Sequence, residues 1–148
     1  MKQFVVDASV AVKWMMPSTR EPLREEAVHL AKMRSAGQLD FIVPDFFWIE
    51  LGNVLWKAVR SSRVSAQEFE AAQQLLQTSD IRSFPSRQLL PSALLIALEF
   101  NRTVYDSLYV ALAKDASVQL ITADEKLVNA VGSRLPVVWL GSASALSF

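Results

Sequence analysis

The 148-residue sequence contains no cysteine and a single histidine, and these absences exclude several kinds of functional site. Without cysteine there is no disulfide, no thiolate zinc site and no cysteine nucleophile, and this composition agrees with a reducing cytoplasm. The lone histidine, His29, argues against a histidine-rich metal centre and against a Ser-His-Asp triad. Because His29 lies in a helix-like stretch, we expect it to have a surface or packing role.

The sequence also lacks a hydrophobic run long enough to cross a membrane. Its longest apolar stretches are interrupted at Glu50 and Glu99, well short of the ~20 residues that span a bilayer. Asp7 breaks the first apolar run, which argues against a signal peptide at the start. We therefore expect no membrane association.

An excess of charge of either sign is missing too, since 15 basic residues balance 15 acidic ones. A balanced charge weighs against nucleic-acid binding, unless some carboxylates bind a metal ion and leave the remaining surface positive. Hydrophobic residues make up 51% of the chain, which is typical of a globular protein and not of a disordered one. A chain of this length is expected to form a single domain over residues 1–148.

Short apolar strands alternate with helical stretches along the chain. The predicted strands cover residues 4–6, 41–43, 81–84 (weakly), 118–121 and 137–139. The predicted helices cover residues 8–14, 23–35, 45 to about 60, 65 to about 78, about 88–100, 106–114 and 124–131. Pro91 sits awkwardly in the fifth helix, and we expect the helix to start there. This alternation predicts an α/β fold, a mostly parallel sheet of about five strands with helices on both faces.

Four carboxylates occupy positions that suit a functional site. Asp7 ends the first strand and Asp124 follows the fourth, so both are expected at the edge where α/β sheets bind ligands. Glu50 lies on the helix after the second strand, and Asp106 opens the helix before the fourth strand.

Each of these acids has a purely structural explanation as well. Aspartate is a preferred N-cap and a favourable charge at a helix start, which would account for Asp7, Asp106 and Asp124. Glu50 could form an ion pair with Lys57, two turns further along its helix. Taken one at a time, the structural and functional explanations are equally good.

Four segments around these acids follow one another along nearly the whole chain. They read strand-Asp-Ala-Ser-Val, Pro-x(5)-Glu-x-x-Asn-Val-Leu, Tyr-Asp-x-x-Tyr-x-Ala-Leu-Ala and Leu-Ile-Thr-Ala-Asp-x-x-Leu. In this order they resemble the PIN-domain family, and in particular the VapC-type toxin ribonucleases of bacterial toxin–antitoxin pairs.

The resemblance implies a metal-dependent endoribonuclease that hydrolyses phosphodiester bonds in RNA and is the toxin of a type II pair. It implies an RNA substrate and a cognate antitoxin protein as partners. Carried over by position, it implies catalytic, metal-binding acids at Asp7, Glu50, Asp106 and Asp124, with Ser9 and Thr122 as polar support.

Independently of the resemblance, the chemistry of the acids indicates a hard cation. Oxygen ligands without histidine or cysteine suit Mg²⁺ or Mn²⁺ and not zinc. Two carboxylates ~4 Å apart repel by about 4 kcal/mol at an effective dielectric constant of ~20. A cluster of four acids is therefore unfavourable when empty and favourable around a divalent ion.

The helix that carries Glu50 has a narrow polar stripe, at about 100° per residue, formed by Glu50, Asn53, Lys57 and Arg60. The stripe is either a solvated helix edge or a track towards a phosphate backbone. In the second case Lys57 and Arg60 would bind RNA, with Arg63 and Lys13 as further candidates. The apolar residues Trp48, Leu51, Leu55, Trp56 and Val59 exceed what one helix face needs. Part of this set indicates a homodimer or partner surface, with core packing as the alternative.

The sequence leaves two alternative functions open. A non-catalytic interaction module would use the acids only as helix caps. A phosphotransfer enzyme of similar topology is the second alternative. A haloacid-dehalogenase-like phosphatase would need an aspartate where Ser9 stands, and a response-regulator receiver would need one where Phe84, Pro85 and Ser86 stand.

Overall fold

The computed structural model describes residues 1–16 and 21–145, in which strands and helices alternate. The strands are β1 (Lys2–Val6), β2 (Leu39–Pro44), β3 (Arg82–Phe84), β4 (Gln119–Thr122) and β5 (Val137–Trp139). The helices are α1 (Ala8–Met15), α2 (Arg24–Ser35), α3 (Phe46–Arg60), α4 (Ala66–Thr78), α5 (Ser86–Phe100), α6 (Val104–Ala116) and α7 (Glu125–Val131). Two short 3₁₀ helices cover Gly132–Arg134 and Leu140–Ala145.

The five strands form one sheet in the order β3-β2-β1-β4-β5, and every neighbouring pair is parallel. Strand β1 is central, with Val5 in register with Ile42 on one side and Leu120 on the other. Successive residues of β1 point to opposite faces, yet Phe4, Val5 and Val6 are all at most 1% exposed. Both faces of the sheet are therefore covered, and the predicted α/β fold is confirmed.

The parallel arrangement brings two chain reversals to one edge of the sheet. Asp7 directly follows β1, and Asp124 comes two residues after the end of the adjacent strand β4. This edge, outside the carboxyl ends of the strands, is called the carboxyl edge below.

Helix α5 departs from the prediction, because Pro91 lies inside it and does not mark its start. The helix begins at Ser86, so Pro91 falls in its second turn. There the missing N–H removes one hydrogen bond, to the carbonyl of Arg87, and the helix continues to Phe100. The residues from Ser86 to Leu90 are therefore helical despite the missing hydrogen bond at Pro91.

Other helix starts follow their capping residues. Helix α4 begins with the capping box expected from its sequence, in which the Ser65 hydroxyl accepts from the Glu68 amide and the Glu68 carboxylate accepts from the Ser65 amide. Helix α6 starts at Val104 and not at Asp106, because the Thr103 hydroxyl caps it by accepting from the Asp106 amide. None of the helices in the described ranges is long and apolar enough to cross a bilayer.

Candidate functional site

Asp7 is a buried carboxylate at the carboxyl edge, 8% exposed, with hydrogen bonds to both of its oxygens. Its Oδ1 accepts from the Ser9 amide at 3.1 Å and from the Ser9 hydroxyl at 2.5 Å. Its Oδ2 accepts from the Thr122 hydroxyl at 2.6 Å. Asp7 is thus the N-cap of α1 and is also tied to the end of β4.

The two hydroxyls also join the ends of β1 and β4 to each other. The Ser9 Oγ accepts from the Ala123 amide at 2.9 Å, and the Thr122 Oγ1 accepts from the Asp124 amide at 3.1 Å. Each hydroxyl therefore donates to Asp7 and accepts from the chain reversal after β4. This pair holds the Asp7 carboxylate in one orientation.

Burial raises the pKa of Asp7 to about 6. The hydrogen bonds from Ser9 and Thr122 act in the opposite direction, because they stabilise the ionised form. The charges of Glu50 and Asp106 add to the increase, which places both carboxylates within electrostatic reach of Asp7. Three of the four predicted acids therefore share one environment.

Glu50 reaches this environment from α3 and is held by a tyrosine of α6. The Tyr109 hydroxyl donates to Glu50 Oε1 at 2.5 Å, and Tyr109 itself is 2% exposed. Burial raises the pKa of Glu50, the Tyr109 hydrogen bond lowers it, and the charge of Asp106 raises it further. Glu50 forms no ion pair with Lys57 in the described part of the chain, so that structural explanation is wrong.

Asp106 and Asp124 are joined by an arginine. The Arg102 Nη2 donates to Asp106 Oδ2 at 3.0 Å and lies 3.4 Å from Asp124 Oδ2. The other oxygen of Asp124 caps α7 by accepting from the amides of Lys126 and Leu127. Asp124 is thus an N-cap, as its structural explanation predicted, whereas Asp106 lies in the first turn of a helix that Thr103 caps.

The acids share one edge, but they do not converge into a ready-made metal site. Across residues 1–16 and 21–145, no three acidic or histidine side chains are grouped closely enough to hold an ion. The donors nevertheless fit a hard divalent cation, because they are all carboxylate oxygens and neighbouring carboxylates contribute to the raised pKa values of Asp7 and Glu50. An ion among them would remove that repulsion.

The predicted RNA-binding residues lie apart from the acids, at the far end of α3. Lys57 and Arg60 are exposed, and the Arg60 guanidinium stacks over the Trp56 ring at 5.3 Å. A groove of about 540 Å³ is lined by Trp56, Lys57, Arg60, Ser61 and Arg63. Lys13, by contrast, is 4% exposed and paired with Glu21 at 3.3 Å, so it is not accessible to a substrate.

The apolar residues of α3 divide into two groups. Leu51 and Leu55 are each 3% exposed and belong to the core, as the packing explanation predicted. Trp56 and Val59 are 52% and 42% exposed. Ile49, at 71% exposed, belongs with the second group, and Trp48 is half-buried. The exposed residues are accessible to another molecule.

Sequence reasoning missed the roles of Tyr109 and Arg102. Tyr109 follows Asp106 by three positions on α6, so the two were expected on one helix face, which was a usable signal. Arg102 precedes Asp106 by four positions but lies before Thr103, the N-cap of α6, so the sequence did not indicate helical spacing between them. Its second contact, with Asp124, depends on tertiary structure.

Comparisons with known proteins identify the family of the chain. A family model described as PIN domain matches residues 4–132. Ribonuclease VapC3 of Pyrobaculum aerophilum is 30% identical over 131 residues, which cover 86% of this chain and 93% of that protein. Ribonuclease VapC1 of Mycobacterium tuberculosis is 36% identical over 90 residues, which cover 60% of this chain and 66% of that protein.

Solved structures share the fold. The crystal structure of PAE2754 from Pyrobaculum aerophilum has a TM-score of 0.64 at 24% identity and covers 95% of this chain and 92% of that one. A toxin–antitoxin complex from Klebsiella pneumoniae has a TM-score of 0.62 at 15% identity and covers 91% and 95%. The residues matched by the family model include Asp7, Glu50, Asp106 and Asp124. By its sequence and by its fold, the chain belongs to the PIN-domain family.

Proposed function

We propose that this chain is a metal-dependent endoribonuclease that hydrolyses phosphodiester bonds in RNA. The observation that carries the proposal is the buried carboxylate of Asp7, which shares the carboxyl edge with Glu50 and Asp106. A buried acid whose pKa is raised by burial and by two further acids is unfavourable without a cation. The names of the two relatives, Ribonuclease VapC3 and Ribonuclease VapC1, support RNA as the substrate.

The residues that would hold Mg²⁺ or Mn²⁺ are Asp7, Glu50, Asp106 and Asp124. When bound, such an ion would hold the scissile phosphate, lower the pKa of an attacking water and stabilise the leaving oxygen. Ser9 and Thr122 fix the orientation of the Asp7 carboxylate, and Tyr109 fixes that of Glu50. Because these hydrogen bonds already order the carboxylates, less conformational entropy is lost when the ion and the substrate bind.

The proposal is tested by replacing single acids with their amides. Asp7→Asn and Asp106→Asn keep the side-chain shape but remove the charge that a metal ligand needs. We expect either change to lower RNA cleavage in Mg²⁺ or Mn²⁺ by at least about 100-fold, the order of loss when an electrostatic catalytic group is removed. Circular dichroism should show that both variants are folded.

Asp115→Asn is the matched control, because Asp115 lies on α6 with Asp106 but is exposed at the other end of the helix. This variant should cleave RNA like the parent protein. Undiminished cleavage by the Asp7 and Asp106 variants, or by the parent protein in excess EDTA, would contradict the proposal.

We further propose that the enzyme is the toxin of a type II toxin–antitoxin pair in the cytoplasm. The support is the resemblance to VapC-type proteins and the fold shared with a protein of the Klebsiella pneumoniae toxin–antitoxin complex. The cognate antitoxin would silence the enzyme by covering the acids at the carboxyl edge. Expression without a partner should arrest growth only when Asp7 and Asp106 are intact, and normal growth with abundant parent protein would count against this role.

A homodimer completes the proposal, and α5 supplies the surface for it. Its outer side exposes Leu94, Leu95 and Leu98, which are 48%, 69% and 81% exposed. An exposed row of leucines on one helix is typical of a contact between copies of a chain.

A second candidate function rests on the capping geometry. Asp7 and Asp124 both accept amide hydrogen bonds as N-caps, which is all that a non-catalytic interaction module would require of them. Calorimetry with Mn²⁺ separates the two functions, because acids that serve only as caps would bind no ion.

A further inference from the structure

Arg102 occupies the space between two acids that the proposed ribonuclease needs for its metal ion. A single nitrogen, Nη2, lies 3.0 Å from Asp106 Oδ2 and 3.4 Å from Asp124 Oδ2. These oxygens point at a positive charge that the chain itself provides. The described ranges show no other ion pair with either acid.

The position of Arg102 is fixed by the backbone around it. Asn101 ends α5 in the left-handed conformation, with φ of 53°, and its amide donates to the Ala97 carbonyl. The Arg102 amide donates to the same carbonyl at 3.2 Å, and the next residue, Thr103, caps α6. Arg102 therefore lies on a short, hydrogen-bonded connection between two helices, which fixes its backbone.

Among the described residues, the hydrogen bonds of this side chain go to the two acids. It is 21% exposed, and its Nε is buried without a hydrogen-bond partner. A buried guanidinium nitrogen without a hydrogen-bond partner is unfavourable. This cost favours departure of the side chain once its carboxylates bind another cation.

We propose that Arg102 is a resident cation that competes with the divalent ion for Asp106 and Asp124. The inference rests on the proposed metal-dependent function. A divalent ion bonded to either Oδ2 atom would take an oxygen that the Arg102 Nη2 now contacts. Two positive charges so close repel each other, so the guanidinium has to leave before the ion binds.

The two oxygens of Asp124 allow this exchange without loss of the helix cap. Oδ1 accepts from the backbone of α7, and Oδ2 contacts Arg102. When Arg102 leaves, Oδ2 becomes free for an ion while Oδ1 keeps its amide partners. The start of α7 therefore stays intact in both states.

The test is a titration of Mn²⁺ into metal-free protein, followed by calorimetry, for the parent, Arg102→Ala, Arg102→Gln and Arg102→Lys. Removing the competing charge should tighten Mn²⁺ binding by about tenfold or more in the Ala and Gln variants, since a charge-assisted hydrogen bond no longer has to be broken. Arg102→Lys retains a cation and should bind Mn²⁺ within a few-fold of the parent protein.

Arg134→Ala is the matched control. Arg134 also pairs with a carboxylate, that of Glu99, but both are more than half exposed, at 67% and 52%. This variant should bind Mn²⁺ like the parent protein. The increase in melting temperature on adding Mn²⁺ gives a second readout, and it should be larger for Arg102→Ala than for the parent.

The outcomes separate this inference from the function on which it rests. Equal Mn²⁺ affinity in all variants would overturn the competition while leaving the metal-dependent function standing. Weaker binding in Arg102→Ala and Arg102→Gln would also overturn it, because Arg102 would then hold the acids in place for the ion. If the parent and all variants bind no Mn²⁺, both the competition and the metal-dependent function fail.

Discussion

At the scale of single residues, Asp7 combines two features that have opposite effects on its pKa. It is buried, which raises its pKa to about 6, and both of its oxygens accept hydrogen bonds from hydroxyls, which stabilises the charged form. The folded chain thus holds a proton on Asp7 more tightly than the unfolded chain does, where the pKa has its ordinary value of 3.8. The stability of the metal-free protein should therefore fall as the pH rises from about 4 to about 6 and change little from this source above that range.

Replacement of Asp7 by Asn should remove this pH dependence. A shift of about two pKa units corresponds to about 3 kcal/mol, so the metal-free Asp7→Asn variant is expected to be more stable than the parent at pH 7.5 by up to that amount. Asparagine is also a good N-cap, so the start of α1 is retained. Denaturant unfolding in EDTA at pH 4 and pH 7.5 measures the difference.

Asp115→Asn, at an exposed site, is the control and should leave the unfolding free energy unchanged at both pH values. A lower unfolding free energy for Asp7→Asn than for the parent at pH 7.5 would mean that burial of this charge is not the dominant effect.

The residues differ in how well the sequence predicted them. Asp7 and Asp124 were placed at the carboxyl edge correctly, because a carboxylate that ends a buried parallel strand can lie nowhere else. The partners of these acids were not predicted. Tyr109 meets Glu50 across 59 positions of sequence and Arg102 meets Asp124 across 22, and such contacts depend on how α3, α6 and α7 pack.

At the scale of elements, α3 links the acids to a basic surface. Lys57 and Arg60 follow Glu50 by two and about three turns, roughly 10–15 Å along the axis at 1.5 Å per residue. That separation is too large for a metal ligand and suits phosphates one or two nucleotides from the cut. Trp56 is 52% exposed and contacts Arg60, and its indole adds to this surface a ring on which an RNA base could stack.

Removal of Lys57 or Arg60 should change how RNA binding depends on salt. Each lost phosphate contact is expected to flatten the slope of log affinity against log salt concentration by about 0.7 for single-stranded RNA. Fluorescence anisotropy with Lys57→Ala and Arg60→Ala, in an Asp7→Asn background that does not cleave, measures the slope.

Lys32→Ala is the control for this series. Lys32 is exposed in the last turn of α2, shortly before β2 starts, and so lies towards the opposite edge of the parallel sheet. It should leave the slope unchanged. If Lys57→Ala and Arg60→Ala do the same, the polar stripe of α3 is only a solvated helix edge.

Helix boundaries show where local sequence patterns are insufficient. The capping box of α4 was predicted because both partners are near neighbours, Ser65 and Glu68. The predicted start of α5 was wrong because the single hydrogen bond that Pro91 removes does not end the helix. The start of α6 was placed at Asp106, although Thr103 is the cap, since both residue types favour that position.

At the scale of the whole molecule, the exposed leucines of α5 predict the oligomeric state. Leu98→Glu should turn the proposed homodimer into a monomer, because an unpaired carboxylate in an apolar contact costs several kcal/mol. We expect the dissociation constant to rise by about 100-fold or more. Sedimentation velocity over a range of concentrations measures it.

Leu75→Glu is the control, since Leu75 is an exposed leucine, at 50%, on α4. This variant should remain dimeric. A parent protein that sediments as a monomer at every concentration, or a Leu98→Glu variant that stays dimeric, would contradict the assignment of α5 as the interface.

The architecture was largely predictable, whereas the strand order was not. Alternating strands and helices imply parallel pairing, and the uninterrupted apolar run of Phe4, Val5 and Val6 implies a strand buried on both faces. Nothing local shows that β4 pairs with β1 on the side opposite β2. That pairing is what brings Thr122 to the Asp7 carboxylate and Asp124 to the same edge of the sheet.

The pairing of β1 with β4 has a consequence for the synthesis of the chain. Asp7 is made first, but the hydroxyl of Thr122 and the carboxylate of Asp124 arrive only after more than a hundred further residues. At about 5–20 residues per second, the growing polypeptide spends most of its time on the ribosome without β4. If the protein cleaves RNA, the incomplete chain should not cleave its own messenger or the RNA of the translating ribosome during that time. A stalled nascent chain that ends at residue 118 should therefore leave its own messenger intact, and a messenger cut in such a complex would refute this.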